Sequence, residues 1–167
     1  MTAQRQERNR RRSLAAFFTV LAGVCLVWTG FAARATTTER VVVNRYSGLA
    51  IEGFDPVAYF VDHRPLLGLP EYEAAEAGAV WRFRNEGNRA SFVAHPEVYG
   101  PQFGGYDPVD IARGVTIAGN PRFFVISAQR LYLFSREDNR DAFAADPERF
   151  LYEVGKRWPA LLDKLSQ

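Results

Sequence analysis

The chain has 167 residues, of which 47% are hydrophobic and 24% are charged, which suits a short leader followed by one compact domain. Residues 1–35 carry six arginines and one glutamate, which leaves 15 basic and 18 acidic residues in the rest of the chain. No Lys/Arg cluster follows the leader, and this argues against nucleic acid as a partner. Cys25 is the single cysteine, so an intrachain disulfide is excluded.

An uncharged, largely apolar stretch of 21 residues, 13–33, directly follows five arginines. This length can span a bilayer, and the arginines would hold the N-terminus on the cytoplasmic side. Alternatively, residues 1–35 are a cleaved signal peptide, because Gly30 could break the apolar helix and Ala33-Arg34-Ala35 has the small-x-small form of a cleavage site. Both interpretations predict export to the periplasmic side of a bacterial inner membrane, with membrane contact only through the apolar segment.

An internal repeat occupies most of the remaining chain. Residues 68–99 align without a gap on residues 119–150, at an offset of 51, and 11 of the 32 aligned positions are identical. Upstream of this block, "GFDPV" at residues 53–57 aligns with "GYDPV" at residues 105–109 when the offset is increased by one residue. A fixed period with matched aromatic, Pro and Gly positions is typical of a duplicated structural unit.

The repeat predicts how the chain divides beyond the leader. A linker covers residues 36–52, the first repeat covers residues 53–103, and the second repeat with a C-terminal helix covers residues 104–167. A unit of this size has a marginal core unless a disulfide or a metal supports it. We therefore expect the two units to pack together as one small α+β domain.

Each repeat is predicted to contain a short helix, a hairpin of two strands and a second helix. Asp55 and Asp107 each precede a proline, and both are typical of the residue that caps a helix start. "EYEAAEAGAVWRF" and "RFFVISAQRLYLF" are predicted to form the hairpins, the first turning at Ala77-Gly78. A last helix over residues 147–165 carries apolar residues at helical spacing, and we expect it to cover a joined sheet.

The second helix of each repeat follows its hairpin. Asn85 is predicted to cap a helix over residues 86–94, and Ser135 to cap one over residues 136–145. A proline ends each helix. One phenylalanine in each helix is expected to face the hairpin, namely Phe92 and Phe143.

Several of these blocks together resemble a known family. "DPVAYF" followed by "WRFRNEGNRASFVAHPEVY" resembles the YHS domain, a small module of metal-transporting ATPases, some oxygenases and many exported bacterial proteins. "PQFGGYDPVDIARG" and "FFVISAQRLYLF" are similar to the exported branch. The resemblance covers about residues 46–159 and implies a pattern of Asp-Pro-Val-Cys, a strand ending Tyr-Phe-Cys, and a further Cys four residues later.

The chain departs from this pattern at every cysteine. The residues found there are Ala58, Arg84 and Asn88 in the first repeat and Asp110, Ser135 and Asn139 in the second. Arg84 would also place a positive charge where the family holds a cation. The resemblance therefore implies a frame without its thiolate ligands, and we predict neither a metal site nor a cofactor.

Other candidate residues support weaker interpretations. An oxygen-lined pocket for a hard cation or a polar ligand could be formed by Asp55, Tyr59, Gln102, Tyr106 and Asp107. His63 and His95 are the only histidines, too few for a histidine metal site without further ligands, and we interpret them as solvated or capping residues. The sequence contains neither a Gly-x-Ser-x-Gly elbow nor a phosphate-binding glycine loop.

The leading hypothesis is an exported, non-enzymatic binding or accessory module whose partner is a small ligand or an envelope protein. The alternative is a periplasmic protein that handles copper or another metal with oxygen and imidazole ligands.

Overall fold

The computed structural model describes residues 40–165. The apolar segment at residues 13–33 and the expected cleavage after Ala35 lie outside these residues. Within residues 40–165, no helix combines the length and the apolar character needed to cross a bilayer.

The described residues form a small α+β fold, as predicted. Its helices and strands are, in chain order, α1 (Ala58–Val61), β1 (Leu69–Glu76), β2 (Ala79–Phe83), α2 (Glu86–Ala94), α3 (Pro96–Tyr99), α4 (Pro108–Ala112), β3 (Asn120–Ser127), β4 (Arg130–Phe134), α5 (Glu137–Ala145) and α6 (Pro147–Leu165). Two 3-10 turns precede α1 and α4, at Ile51–Gly53 and Gln102–Gly105.

The two hairpins form separate sheets. β1 pairs antiparallel with β2, and β3 pairs antiparallel with β4. Ala77 and Gly78 turn the first hairpin with φ values of 51° and 78°, and Ala128 and Gln129 turn the second with 48° and 57°. Positive φ at both central residues matches the right-handed twist of the flanking strands. The expectation of a joined sheet is therefore wrong, and α6 packs mainly against α4.

The elements of the second half begin at a constant distance from those of the first. β3, β4 and α5 start 51 residues after β1, β2 and α2, respectively. The pairing register also shifts at corresponding points of the two hairpins, between Leu69 and Glu73 and between Asn120 and Phe124. The interpretation of this spacing as a duplicated YHS-like unit remains a prediction.

The helix caps differ between the halves. Asn85 caps α2 as predicted, because its side chain accepts a hydrogen bond of 2.8 Å from the backbone N–H of Asn88. The prediction for Ser135 is wrong: α5 begins at Glu137, and its N-cap residue, Arg136, makes no capping bond through its side chain. The hydroxyl of Ser135 instead lies within hydrogen-bonding distance of the two buried carboxylates described below.

The largest apolar cluster contains residues from both halves. Leu131 and Leu133 of β4 are fully buried and belong to the same cluster as Trp81 and Phe92. Phe92 lies 4.9 Å from Trp81 between ring centroids, so α2 faces its hairpin as predicted. Phe143 makes the corresponding contact in the second half.

Because β4 contributes to the first-half cluster, we predict that residues 36–167 unfold in one transition. Leu131→Ala should lower the free energy of unfolding by about 2–5 kcal/mol, since it leaves a cavity between the halves. Trp81 and Trp158 lie in different clusters, so the variants Trp158→Phe and Trp81→Phe each leave one local fluorescence probe. Leu131→Ala should shift the urea midpoint equally in both backgrounds. Separate midpoints for the two probes would contradict a single cooperative unit.

Candidate functional site

Two clusters, each built around a buried carboxylate, include the positions where the family resemblance implies thiolate ligands. We call Asp55, Ala58, Arg84 and Asn88 the first nest. One oxygen of the buried Asp55 carboxylate accepts hydrogen bonds from the backbone N–H groups of Val57 (2.8 Å) and Ala58 (3.3 Å). The other accepts from the backbone N–H of Arg84 (2.8 Å) and from Nδ2 of Asn88 (2.6 Å). Asp55 therefore binds both the turn before α1 and the segment that follows β2. The prediction that Asp55 is the helix cap is wrong, since the N-cap residue of α1 is Val57.

The second nest consists of Asp107, Asp110, Ser135 and Asn139, and it holds two carboxylates. Oδ1 of Asp107 accepts from the backbone N–H groups of Val109 (2.8 Å) and Asp110 (3.4 Å), so the predicted cap of α4 is confirmed. Oδ2 of Asp107 accepts from the backbone N–H of Ser135 (2.7 Å), its hydroxyl (2.8 Å) and Nδ2 of Asn139 (2.7 Å). Each nest thus joins a helix start to the end of a hairpin and the helix behind it.

The three ligand positions of the second nest converge on one another. The hydroxyl of Ser135 lies 2.9 Å from Oδ2 of Asp110, and Nδ2 of Asn139 lies 3.1 Å from the same oxygen. The hydroxyl has one proton, so it can donate to only one of the two neighbouring carboxylates at a time. These positions are close enough to share a ligand, but they present carboxylate, hydroxyl and amide groups instead of thiolates.

Two arginines face the second nest from its solvent side. Nη1 of Arg113 lies 2.9 Å from Oδ1 of Asp110, and Nη2 of Arg136 lies 3.4 Å from the same atom. The side chain of Asp110 is only 4% exposed, whereas those of Arg113 and Arg136 are 54% and 50% exposed. A cation could reach Asp110 from this side only by competing with both guanidinium groups.

The surroundings of Asp110 favour its ionised form. Burial acts to raise the pKa of this carboxyl. Hydrogen bonds from Ser135 and Arg113 lower it, as do the hydrogen bond from Asn139 and the positive charge of Arg136. The lowering effects prevail, and the pKa of Asp110 lies below its ordinary value of 3.8.

The structure does not bring the five predicted pocket residues to one cavity. Asp55 and Asp107 are each surrounded by donors in their own nest. Tyr59 is buried, and its hydroxyl donates a 2.8 Å hydrogen bond to the backbone carbonyl of Pro121. Burial, followed by the charges of Asp55 and Glu52, raises the pKa of Tyr59 far above its ordinary value. Tyr59 therefore acts as a neutral hydrogen-bond donor between the two halves.

Gln102 and Tyr106 line different cavities. Gln102 lies beside Trp81 and Phe92 in a cavity of about 360 Å³, whereas Tyr106 lies with residues 41–43 in one of about 250 Å³. Of the residues predicted to share one pocket, Asp55 and Asp107 thus lie in the two nests, and Gln102 and Tyr106 line two separate cavities.

The histidines lie outside both nests. His63 occupies an exposed turn with a φ of 53°. Nδ1 of His95 lies 3.5 Å from an oxygen of Glu97, with both side chains more than half exposed. Among residues 40–165, no group of three or more His, Cys, Asp or Glu side chains is arranged to hold a metal ion.

Sequence reasoning missed the two arginines of the second nest. Arg113 follows Asp110 by three residues on a predicted helix, a spacing that places side chains on one face, so this pair could have been found. Arg136 is distant in sequence from Asp110 and gave no local signal.

Comparison of the chain with protein-family models found no match, and searches of curated proteins and of solved structures found no similar protein. The YHS resemblance therefore remains a prediction from the residues quoted above.

The lowered pKa of Asp110 predicts a pH dependence. A carboxylate whose pKa is depressed by folding contributes stability above the unfolded-state value, about pH 4, and this contribution is lost as the pH falls through the folded-state pKa. Asp110→Asn should therefore reduce the loss of unfolding free energy below pH 4, measured by urea titration at several pH values. Asp163→Asn, at an exposed position, is the matched control and should leave the pH dependence unchanged. An unaltered acid slope in Asp110→Asn would contradict the assignment.

Proposed function

We propose that this chain is an exported, non-enzymatic binding or accessory module, built from two YHS-like repeats that have lost their thiolate metal ligands and are packed as one domain. The observation that supports it best is the convergence of positions 110, 135 and 139, whose side chains contact one another within 2.9–3.4 Å. These are the positions at which the resemblance implies cysteines. A frame that still brings them together, but fills them with hydrogen-bonded polar groups, fits a scaffold that has changed its role.

The first nest supports the same interpretation. Arg84 and Asn88 both donate to one oxygen of Asp55, so their backbone segments lie close together around a buried charge. Soft metals such as copper(I) prefer thiolate and thioether ligands. From residue 36 onward the chain contains neither Cys nor Met. The nests therefore serve as internal braces in this proposal, and the ligand or partner binds elsewhere on the module.

The alternative is a periplasmic metal-handling protein with oxygen and nitrogen ligands. The second nest favours it, because the hydroxyl of Ser135 lies within hydrogen-bonding distance of two carboxylates. A hard cation would use such oxygen atoms. Two features weigh against it: Arg113 and Arg136 neutralise Asp110, and every oxygen of Asp107 already accepts hydrogen bonds.

Export is the part of the proposal that rests on the leader sequence. The five arginines before residues 13–33 favour a cytoplasmic N-terminus and an exterior domain. A C-terminal alkaline phosphatase fusion of the full chain should therefore be active in a bacterial host, and a matched fluorescent cytoplasmic reporter should be dark. The reverse result would overturn export. N-terminal sequencing of the recovered protein would then separate a cleaved signal, with a start at Thr36, from a retained anchor.

Metal titration tests the loss of the ligands. We expect the protein lacking residues 1–35 to bind copper(I) or zinc no more tightly than micromolar, with no melting shift. A real site at 100 times its dissociation constant would stabilise the fold by about 2.7 kcal/mol. Tight binding by the parent that His63→Ala or His95→Ala abolishes would establish the alternative.

Restoring thiols tests whether the frame remains. The first nest is the better host, because Asp55 keeps its three backbone donors when side chains at 58, 84 and 88 change. The triple variant Ala58→Cys/Arg84→Cys/Asn88→Cys should gain zinc affinity. A control triple with cysteines replacing the exposed Glu71, Glu148 and Asp163 should not. Equal zinc binding by both triples, or none by either, would contradict a retained YHS-like frame.

A further inference from the structure

The cavity beside Tyr106 lies between segments that are distant in sequence. Residues 41–43, the loop that follows α4 and the last residue of α6, Leu165, contribute to its walls. Its volume of about 250 Å³ is just below that of sites for drug-sized ligands, about 300–1,000 Å³, so it suits a compact ligand. Tyr106 is 8% exposed, and the other described residues that line the cavity are half-buried or exposed. A ligand could therefore reach these walls without displacing the core.

Backbone hydrogen bonds hold two of these walls in place. The N–H of Val42 donates to the carbonyl of Gly104 at 2.8 Å. A Cβ atom at position 104 would overlap the carbonyl oxygen of Arg40, so the glycine lets residues 40–42 pass close to the turn before α4. The loop after α4 is fixed by the N–H of Asp107, which donates to the carbonyl of Ile117 at 2.9 Å. The cavity is therefore preformed, as most small-molecule sites are.

A small residue occupies the loop side of the cavity. Ala118 forms an antiparallel bridge with Tyr106, as Leu67 does with Phe54 at the corresponding place in the first half. Ala118 and, two residues earlier, Thr116 both line the cavity. A leucine at position 118, as in the first half, would fill part of the volume that alanine leaves open.

The polar groups of the cavity favour a negatively charged ligand. Among the described residues that line it, Arg45 is the one that carries a charge, and it is exposed. Arg45 also interacts within the protein, but a guanidinium has five N–H donors, and one such interaction does not use them all. Thr116 adds a hydroxyl group. Asp163 and Lys164, which precede Leu165 on α6, do not line the cavity and carry opposite charges.

We propose that this cavity binds a short aliphatic carboxylate. The carboxylate accepts charge-assisted hydrogen bonds from the guanidinium of Arg45, a pairing that matches in geometry. The aliphatic body packs against Val42 and Leu165, which both belong to the apolar cluster around Tyr106. Burial of the aliphatic body provides the affinity, and Arg45 provides the preference for an anion. The inference rests on the proposed binding function and names the class of ligand that the module would take.

Three probes of similar size and different charge test the proposal: isovalerate, isovaleramide and isopentylammonium. Their affinities are measured by ligand-observed NMR titration of the full chain in lipid nanodiscs, with empty nanodiscs as the blank. We expect isovalerate to bind about fivefold more tightly than the neutral amide, because an exposed charge pair contributes little. Isopentylammonium should bind most weakly. Higher salt should reduce the difference, since Arg45 is exposed to solvent.

Two variants separate the charge from the volume. Arg45→Gln should abolish the preference for isovalerate and retain the affinity for isovaleramide, whereas Arg64→Gln, at an exposed position outside the cavity, should keep the preference. Ala118→Leu should weaken the binding of all three probes at least tenfold, because it fills the cavity. The control Ala144→Leu adds the same atoms at an exposed position on α5 and should bind like the parent.

The proposal is overturned if no probe binds, if isovalerate and isovaleramide bind equally, or if Arg45→Gln keeps the preference. Binding that survives in an Ala118→Leu variant with the melting temperature of the parent would place the ligand elsewhere and would also overturn it. Should Ala118→Leu fail to fold, the comparison of Arg45→Gln with Arg64→Gln decides. Failure of the proposed function appears separately, as tight zinc or copper(I) binding by the parent.

Discussion

A buried carboxylate holds each half of this fold together. Asp107 accepts hydrogen bonds from the start of its own helix, from the residue after β4 and from a side chain of α5, and Asp55 does the same in the first half. A charge this deeply buried is costly unless donors surround it. The turn, the hairpin and the following helix must therefore keep their positions relative to one another, because a shift in any of them would leave the charge unsatisfied. The apolar clusters form around this constraint.

The second nest requires more support than the first because it contains a second carboxylate. Ala58 is an apolar residue beside Asp55, whereas Asp110 adds a negative charge beside Asp107. Two half-exposed guanidinium groups offset that charge from the solvent side, and Asn139 donates to both carboxylates from inside. The same convergence that would suit a metal ion is thus satisfied by groups of the protein itself. Within residues 40–165, no buried side-chain nitrogen or oxygen is left without a hydrogen-bond partner.

Local signals in the sequence predicted the local elements, and long-range competition explains the errors. Asn85 capped α2 as expected, because its acceptor serves the adjacent turn. Ser135 instead corresponds to Arg84, and Asp107, 28 residues earlier, accepts from its backbone N–H as Asp55 does from that of Arg84. The residue equivalent to Asn85 is Arg136, which makes no capping bond through its side chain. The predicted pocket residues lie apart because of similar long-range contacts. The hydroxyl of Tyr59 donates to the carbonyl of Pro121, 62 residues away, and no period in the sequence reveals this hydrogen bond.

The corresponding last helices of the two halves differ in length. In the second half, α6 runs for 19 residues, and its apolar residues pack on two clusters of that half. In the first half the corresponding helix stops after four residues, and a glycine follows it. A Cβ atom at Gly100 would lie 2.7 Å from the carbonyl oxygen of Pro96, so no larger residue fits there unless the turn moves. The backbone path at Gly100, and not only the lack of a side chain, therefore separates the end of α3 from the continuous α6 of the second half. The two halves thus share the order of their hairpin and following helices but differ in how the last of these helices ends.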